Sequence, residues 1–541
     1  MDTTDRSIAP SDNSAVCAGG YVLTCLLCSA FFALNGSALQ LTYGDSWIYT
    51  DLAKRIFFTH SLRMDAVLDL VYPPLYPALI SIAYFFKTQA GVFNAIAALN
   101  ILVYSTAFIP LYFLFKDYAQ LNKTQAFCAA MLSVLCLWPL RYVVHVASEP
   151  LYYPLAAWFA WLLVDGAYLR GKAGLAAFTL VFTAMPLTKA LGNIVFPAFI
   201  LYSAAIYYTS ARPRPVKLLT RPLLVIFISA FIVYLYKRYQ FSVMPAGSDV
   251  MGGYLFTLSE PNLLKLSYWL ERTRLDLSWL IRGTKTAALP MVLALFVRHR
   301  KLVYKDPLII FTALVYAGTF LIVPLFTPTD PMFGERPRYY IPFVFGFIVM
   351  LLKYHRLIAG KELAAAALLT AAGIVIGFPP EFMREPVRWQ IGAYYCVWFC
   401  CLYYGRKSFV NVFLALLLCT TLASVWSYRT RPAEADGSVI DLYDQRGITE
   451  KMLELRRKYP SAAFLVDRSW RGQPLDTWIE YERNMINAPF LPVFVDLEAR
   501  REEDLAGAGP ALLLTHRPVT RGVKAAQGKR IALYLSGRLS E

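Results

Sequence analysis

Thr42-Tyr43-Gly44-Asp45-Ser46-Trp47, continued by IYTDLAKRIFF over 48–58 and later by Tyr72-Pro73-Pro74-Leu75-Tyr76-Pro77, is the stretch that decides the fold. It follows directly on an apolar run, 16–41, long enough to cross a hydrocarbon core of roughly 30 Å. Asp45 therefore stands just outside a membrane span, where an ionised carboxylate is costly unless it meets water or a partner. From 47 to 58 the apolar residues take one helical face and Asp51, Lys54 and Arg55 the other, which predicts an amphipathic helix lying in the interface. Pro73 and Pro74 push the preceding backbone out of the α region and start a new turn. The run 74–86 is too short and too proline-rich to span and predicts a second interfacial helix. The order is span, acid, surface helix, double proline, surface helix, within a first external loop of about 42–89.

The rest of the chain is built of the same material. Of 541 residues, 57% are hydrophobic and only 16% charged, far from the quarter of charged residues in a soluble domain. Further apolar runs at 90–115, 124–142, 150–168, 174–188, 193–209, 222–237, 286–298, 306–326, 338–353, 363–378, 389–405 and 409–426 predict a mainly α, polytopic membrane protein with about thirteen transmembrane helices. The polar segment 1–14 and the full-length run after it predict a first span rather than a cleavable signal. The nine cysteines lie in or beside these runs and behave as small hydrophobes; Cys25 and Cys28 have no second ligand pair.

The net charge of +17 does not point to nucleic acid, because the basic residues form short clusters between apolar runs instead of one stripe. Such clusters report orientation and contact with membrane lipids. With the N-terminus inside, the connectors 116–123, 170–172, 212–221, 298–305, 353–361 and 406–407 all fall inside, and all are basic. The alternating connectors are richer in Asp, Glu, Pro and aromatics. The positive-inside rule thus predicts a cell inner (plasma) membrane protein whose membrane domain, 1–428, gathers its acidic loops on the extracytoplasmic side. It sends 429–541 to that side as well. That tail is charged and carries short apolar segments at 462–466, 491–495, 511–515 and 531–535 after a helical stretch, 449–458, which predicts a small α/β domain.

Several outer-side residues could carry chemistry, and each has a plain structural alternative. Asp45 is suited to act as a base at the membrane surface, or to cap the helix that begins near Trp47. Glu149, in Ser148-Glu149-Pro150, is a second acid, or a first-turn residue meeting a helix dipole. Lys189, in Pro186-Leu187-Thr188-Lys189, offers a point charge, or snorkels at a span end. Arg336 and Arg338, with Tyr339, offer forked donors to an anion, or form an interface belt with Glu335. No cofactor is called for. Asp65 and Asp69, four residues apart, could hold a divalent metal with Asp45, although a solvated helix face is the preferred explanation. The loop 239–285 is expected to cover the cavity.

These motifs in this order resemble the GT-C superfamily of membrane glycosyltransferases, which take a sugar from a polyprenyl phosphate carrier. The similarity is greatest to the branch of protein O-mannosyltransferases and lipid A aminoarabinose transferases. It rests on Asp45 and Pro73-Pro74-Leu75 in the first loop, Ser148-Glu149-Pro150, Leu187-Thr188-Lys189, and Arg338-Tyr339-Tyr340-Ile341-Pro342, and it extends over most of the chain. One position departs: Tyr72 stands where the aminoarabinose branch has a lysine before the double proline. The resemblance implies an inverting enzyme that moves a single sugar, hexosyl or pentosyl, on the outer side of the membrane. It implies Asp45, as general base, and Glu149 as catalytic residues, and Lys189, Arg336, Arg338, Tyr339 and Tyr72 around the donor phosphate. The partners implied are a polyprenyl-phosphate-linked sugar and an acceptor that is a lipid, a glycan or a protein. Two other functions fit a polytopic chain: a transporter or flippase of a lipid-linked substrate, and an O-antigen polymerase or ligase. The first calls for charges buried mid-span and for related halves, and the sequence has neither. The loop order from Asp45 to Pro77 speaks against the second.

Overall fold

A helix lies in every apolar run of the computed structural model, which describes residues 11–34, 45–62, 72–86, 88–209, 216–242, 288–299, 306–326, 344–377, 385–429, most of 451–459, a few residues between 267 and 274, and five strands after 462. In chain order the first helices are α1 (Ser11–Leu34), α2 (Asp45–Thr59), α3 (Leu75–Ser81), α4 (Gln89–Ser105), α5 (Phe108–Phe113), α6 (Lys123–Leu135), α7 (Leu137–Arg141), α8 (Glu149–Val164), α9 (Lys172–Thr188), α10 (Val195–Thr209) and α11 (Lys217–Ser242). Then come α12 (Ala288–Arg298), α13 (Pro307–Phe326), α14 (Val344–Lys353), α15 (Gly360–Gly377), α16 (Glu385–Tyr404) and α17 (Phe409–Arg429). Five helical stretches are long and apolar enough to cross a membrane by length and composition: 13–34, 90–118, 190–208, 217–240 and 406–426. The remaining runs hold shorter, interrupted or less apolar helices, so helix length alone does not fix the number of spans. Leucines and phenylalanines stay exposed along α11, among them Leu224, Phe227 and Phe231, as befits a lipid-facing surface.

Side-chain contacts sort the connectors into two ends of the bundle. At one end, Lys116 Nζ donates to Asn13 (2.6 Å), Gln125 Nε2 to Asn411 (2.9 Å) and Arg221 Nη1 to the Arg170 carbonyl (3.1 Å). Arg298 pairs with Glu362 at 3.0 Å at the same end. Asp306 is the hub there. It caps α13 by accepting from the amides of Leu308 (2.9 Å) and Ile309 (3.2 Å). It also receives Lys353 Nζ (2.6 Å) and the hydroxyls of Tyr354 (2.8 Å) and Tyr118. Apart from Asn13, which precedes the first apolar run, these residues belong to the basic connectors or flank them. The acidic and aromatic connectors contact one another at the other end, as described below.

Helices form on both sides of the double proline, as it predicts. α2 packs on α3, and a 3-10 turn, Ile82–Phe85, extends α3 toward α4. The expected solvated polar face of α2 is not found. Asp51 and Lys54 are buried, Lys54 with only 1% of its surface exposed, and Arg55 Nε pairs with Asp51 at 2.7 Å. A surface helix has only lipid and water around it; α2 is covered on its polar side too, and Asp51 and Arg55 pair there.

The C-terminal segment is a five-stranded mixed sheet of β1 (Ala463–Asp467), β2 (Pro492–Val495), β3 (Ala511–Thr515), β4 (Val523–Gln527) and β5 (Ala532–Ser536), in the order β2-β1-β3-β5-β4. β1 runs parallel to β2 and β3, while β5 runs antiparallel to β3 and β4. Four strands lie within a residue or so of the expected apolar segments. β4, with the sequence VKAAQ, is an edge strand with too little apolar alternation to be seen beforehand, and an irregularity interrupts its pairing at Lys524/Ala526. Phe464, Val466, Leu512, Leu514 and Leu533 of the sheet share one continuous apolar cluster with Met452, Leu455 and, from α2 and α3, Ile48, Leu52, Tyr76 and Ile80.

Candidate active site

α2 is fastened by its first turns to the segment that leads into α8. Ser46 Oγ donates to the Val146 carbonyl (2.8 Å), and the Tyr49 hydroxyl donates to Ser148 Oγ (3.1 Å). Ser148 holds the N-cap position of α8 without capping it, so its hydroxyl is available to Tyr49. The segment before it is held from α4: Asn100 Nδ2 donates to the carbonyls of Val143 (3.2 Å) and His145 (2.9 Å). The Asn100 carbonyl oxygen accepts the Tyr76 hydroxyl (3.2 Å). Burial pushes the Tyr76 phenol well above its ordinary range, and the nearby Glu149 charge acts in the same direction, so Tyr76 stays a neutral donor.

Glu149 opens α8, and Pro150 fixes the first turn behind it. Its carboxylate pairs with the Lys189 ammonium, and both side chains are buried, 4% and 7% exposed. Local backbone explains why Lys189 reaches inward. α9 ends at Thr188, and Lys189 is extended (φ −148°, ψ 136°), which turns it off the helical path. The chain then doubles back in a 3-10 turn, Ala190–Ile194, closed by the Gly192 amide on the Lys189 carbonyl at 2.8 Å. That turn needs a glycine, because a Cβ at 192 would lie 2.5 Å from the Met185 carbonyl and 2.6 Å from the Pro186 nitrogen. Lys189 is therefore not the snorkelling flank that a lysine at a span end suggests.

Tyr72 closes another side. Its ring meets Tyr49 edge-on at 5.5 Å, Tyr49 in turn meets Tyr76 at 5.2 Å, and the Tyr72 carbonyl accepts the Tyr236 hydroxyl of α11. Lys54 lies further along α2, outside the membrane-spanning segments. Burial lowers its pKa to about 8, against the attraction of Asp51 and with the repulsion of Arg55.

The structure thus brings together Glu149, Lys189, Tyr72 and the helix that Asp45 begins. The Asp45 side chain and the residues Asp65, Asp69, Arg336, Arg338 and Tyr339 lie outside the described residues, as does most of the loop 239–285. Among the described residues, no three His, Cys, Asp or Glu side chains are grouped to hold a metal ion. Tyr49, Tyr76 and Asn100 escaped the sequence reading. Tyrosines near span ends look like interface belts, but an amide in the middle of the apolar run 90–115 was a usable signal, since such a group needs buried partners.

No protein-family model matches the sequence, and no curated protein does. Solved structures do resemble the fold. Over 97% of this chain and 98% of the other, it superposes with TM-score 0.52 and 12% identity on ArnT from Cupriavidus metallidurans, solved bound to undecaprenyl phosphate. An oligosaccharyltransferase from Archaeoglobus fulgidus in its apo form is matched with TM-score 0.47 and 14% identity, over 92% of this chain and 67% of the other. The arabinofuranosyltransferase AftD from Mycobacteria is matched with TM-score 0.37 and 12% identity, over 97% and 40%. At these identities the likeness concerns the fold. The chain shares its fold with ArnT over nearly the whole length of both.

Proposed function

We propose that this chain is a membrane glycosyltransferase that moves a single sugar from a polyprenyl-phosphate carrier to an acceptor. The observation that carries the proposal is the docking of α2 on the α8 entry through Ser46–Val146 and Tyr49–Ser148. It brings the start of the helix opened by Asp45 close to the Glu149–Lys189 pair. The chemistry fits that juxtaposition. A sugar leaving a phosphate needs a base for the acceptor proton and cations for the departing oxygen. Asp45 is assigned as the base. Lys189, held by Glu149, places an ammonium charge where a departing phosphate oxygen calls for one. Glu149 orients that ammonium instead of acting on the sugar directly. Arg336, Arg338, Tyr339 and Tyr72 are assigned to the phosphate, and direct displacement by the acceptor hydroxyl inverts the anomeric carbon. In this reading the thirteen apolar runs are all spans, the basic connectors face the cytoplasm, and the site and the C-terminal sheet domain face outward from the inner membrane. Support for a carrier of this class comes from ArnT, solved with undecaprenyl phosphate.

The test is product analysis with the full chain in liposomes and labelled polyprenyl-phosphate sugars. The expected product is an acceptor bearing one added sugar of inverted configuration. Transfer of a block of sugars would make the chain a polymerase or ligase. Movement of label across the bilayer with no new glycosidic bond would make it a flippase.

A further inference from the structure

Asn100 ties the candidate site to the helix bundle. It stands about 15 Å along the stretch 90–118, which is long and apolar enough to cross a membrane, and it is fully buried. An amide there must find its partners inside the protein. Asn100 uses both of its faces: Nδ2 donates to the carbonyls of Val143 (3.2 Å) and His145 (2.9 Å), and Oδ1 accepts the Tyr76 hydroxyl (3.2 Å). The segment that receives these bonds leaves the α-helical path. Tyr142–Val144 is a 3-10 turn, and His145 is extended (φ −106°, ψ 148°). Carbonyls of irregular backbone at such a depth are costly unless other groups supply donors. Asn100 supplies two, and Ser46 of α2 supplies a third, to Val146 at 2.8 Å.

The segment so fixed leads directly into Glu149, whose carboxylate pairs with Lys189. Tyr76, held by the Asn100 oxygen, meets Tyr49 edge-on at 5.2 Å, and Tyr49 donates to Ser148 beside Glu149. α2, α3 and the entry to α8 thus converge on one side chain of α4. Resting on the glycosyltransferase proposal above, we infer that Asn100 is a positioning residue for the transfer step, with Tyr76 as its partner. By fixing the main-chain path into α8, Asn100 sets where Glu149 holds the Lys189 ammonium, and so how well that charge meets the oxygen of the departing phosphate. Charge on that oxygen develops in the transition state, so Asn100 acts on kcat and leaves binding of the carrier alone.

The test compares Asn100→Leu with Tyr104→Phe in the full chain in liposomes, by steady-state kinetics with a labelled polyprenyl-phosphate sugar. Tyr104 is the control. It lies one turn further along α4, is equally buried, and donates to the Val134 carbonyl of α6 at 2.6 Å, away from the entry to α8. Both variants remove buried hydrogen bonds made by α4, and only the first frees the path to Glu149. In the folded fraction, Asn100→Leu is expected to lower kcat by about 10²-fold with donor KM unchanged, since small displacements of a positioned group have effects of that size. Tyr104→Phe is expected to leave both constants unchanged. Ser46→Ala and Tyr76→Phe each remove one hydroxyl from the same network, and each is expected to lower kcat by about 10-fold. These two decide the matter if Asn100→Leu does not fold. Unchanged kcat in folded Asn100→Leu, or in both hydroxyl variants if it does not fold, would overturn the inference while leaving the glycosyltransferase proposal standing. An equal fall in Tyr104→Phe would also overturn it, because the bonds of α4 would then be structural only. If the wild-type protein transfers no sugar, the glycosyltransferase proposal itself falls, and the role of Asn100 falls with it.

Discussion

Glu149 and Lys189, forty residues apart in sequence, form a buried ion pair between the start of α8 and the end of α9. Both side chains are buried, so each charge needs partners within the protein. Removing one partner, by Glu149→Gln or Lys189→Met, is expected to cost about 3–5 kcal/mol of stability. Replacing both, by Glu149→Leu with Lys189→Met, is expected to recover much of that loss and yet leave transfer abolished. Chemical unfolding in detergent measures the first part and a transfer assay the second. A double variant that is both stable and active would separate the pair from the reaction.

Gly192 tests whether the position of Lys189 matters as well as its charge. In Gly192→Ala the new Cβ must displace the Met185–Pro186 backbone, which lies 2.5 to 2.6 Å away. Transfer is expected to drop by about 10-fold or more, since a small shift of a positioned group has large kinetic effects. Gly171→Ala is the control: nothing lies within 4 Å of its Cβ position, and its φ of −82° suits any residue. Equal activity in the two variants would contradict the account of the turn.

Lys54 makes a prediction about pH. Its pKa in the folded protein is about 8, below the ordinary 10.5. Between these values the unfolded chain binds more protons than the native one, so stability rises with pH across that window. Below about pH 8 both states are protonated and the contribution is constant. The full rise amounts to roughly 3 kcal/mol. In Lys54→Met that part of the slope between pH 8 and 10.5 is expected to vanish, measured as the difference from wild type in denaturant titrations. An unchanged slope would show that Lys54 is solvated in the native state.

Asp306 gives the opposite signature. It gathers Tyr118, Lys353 and Tyr354 and caps α13 at the end of the bundle away from the candidate site. Asp306→Ala is expected to cost about 2 kcal/mol or more in stability, while leaving donor KM unchanged in the folded fraction. A change in donor KM would mean that the two ends of the bundle are coupled.

Much of this was legible in the sequence. Apolar runs placed the helices, because a hydrocarbon solvent imposes one simple composition on what crosses it. Pro73-Pro74 marked the break between α2 and α3, and Ser148-Glu149-Pro150 and Leu187-Thr188-Lys189 marked the two ends that meet in the ion pair. What escaped depends on tertiary burial. The Asp51–Lys54–Arg55 face of α2 reads as solvated from its period alone, and only the surrounding structure shows that it is covered. The bond from the Tyr236 hydroxyl to the Tyr72 carbonyl could not be read at all, because a backbone acceptor leaves no trace in side-chain pattern. β4 was missed for a related reason: pairing with β5 makes it a strand, not its own composition.

The most direct measurement is transfer from a labelled polyprenyl-phosphate sugar by wild type and by Asp45→Asn, with carrier binding followed in parallel. Loss of a positioned general base predicts a fall in transfer of about 10²- to 10⁴-fold with carrier binding retained. Undiminished transfer by a folded Asp45→Asn protein would contradict the assignment of this end of the bundle as the site of the reaction.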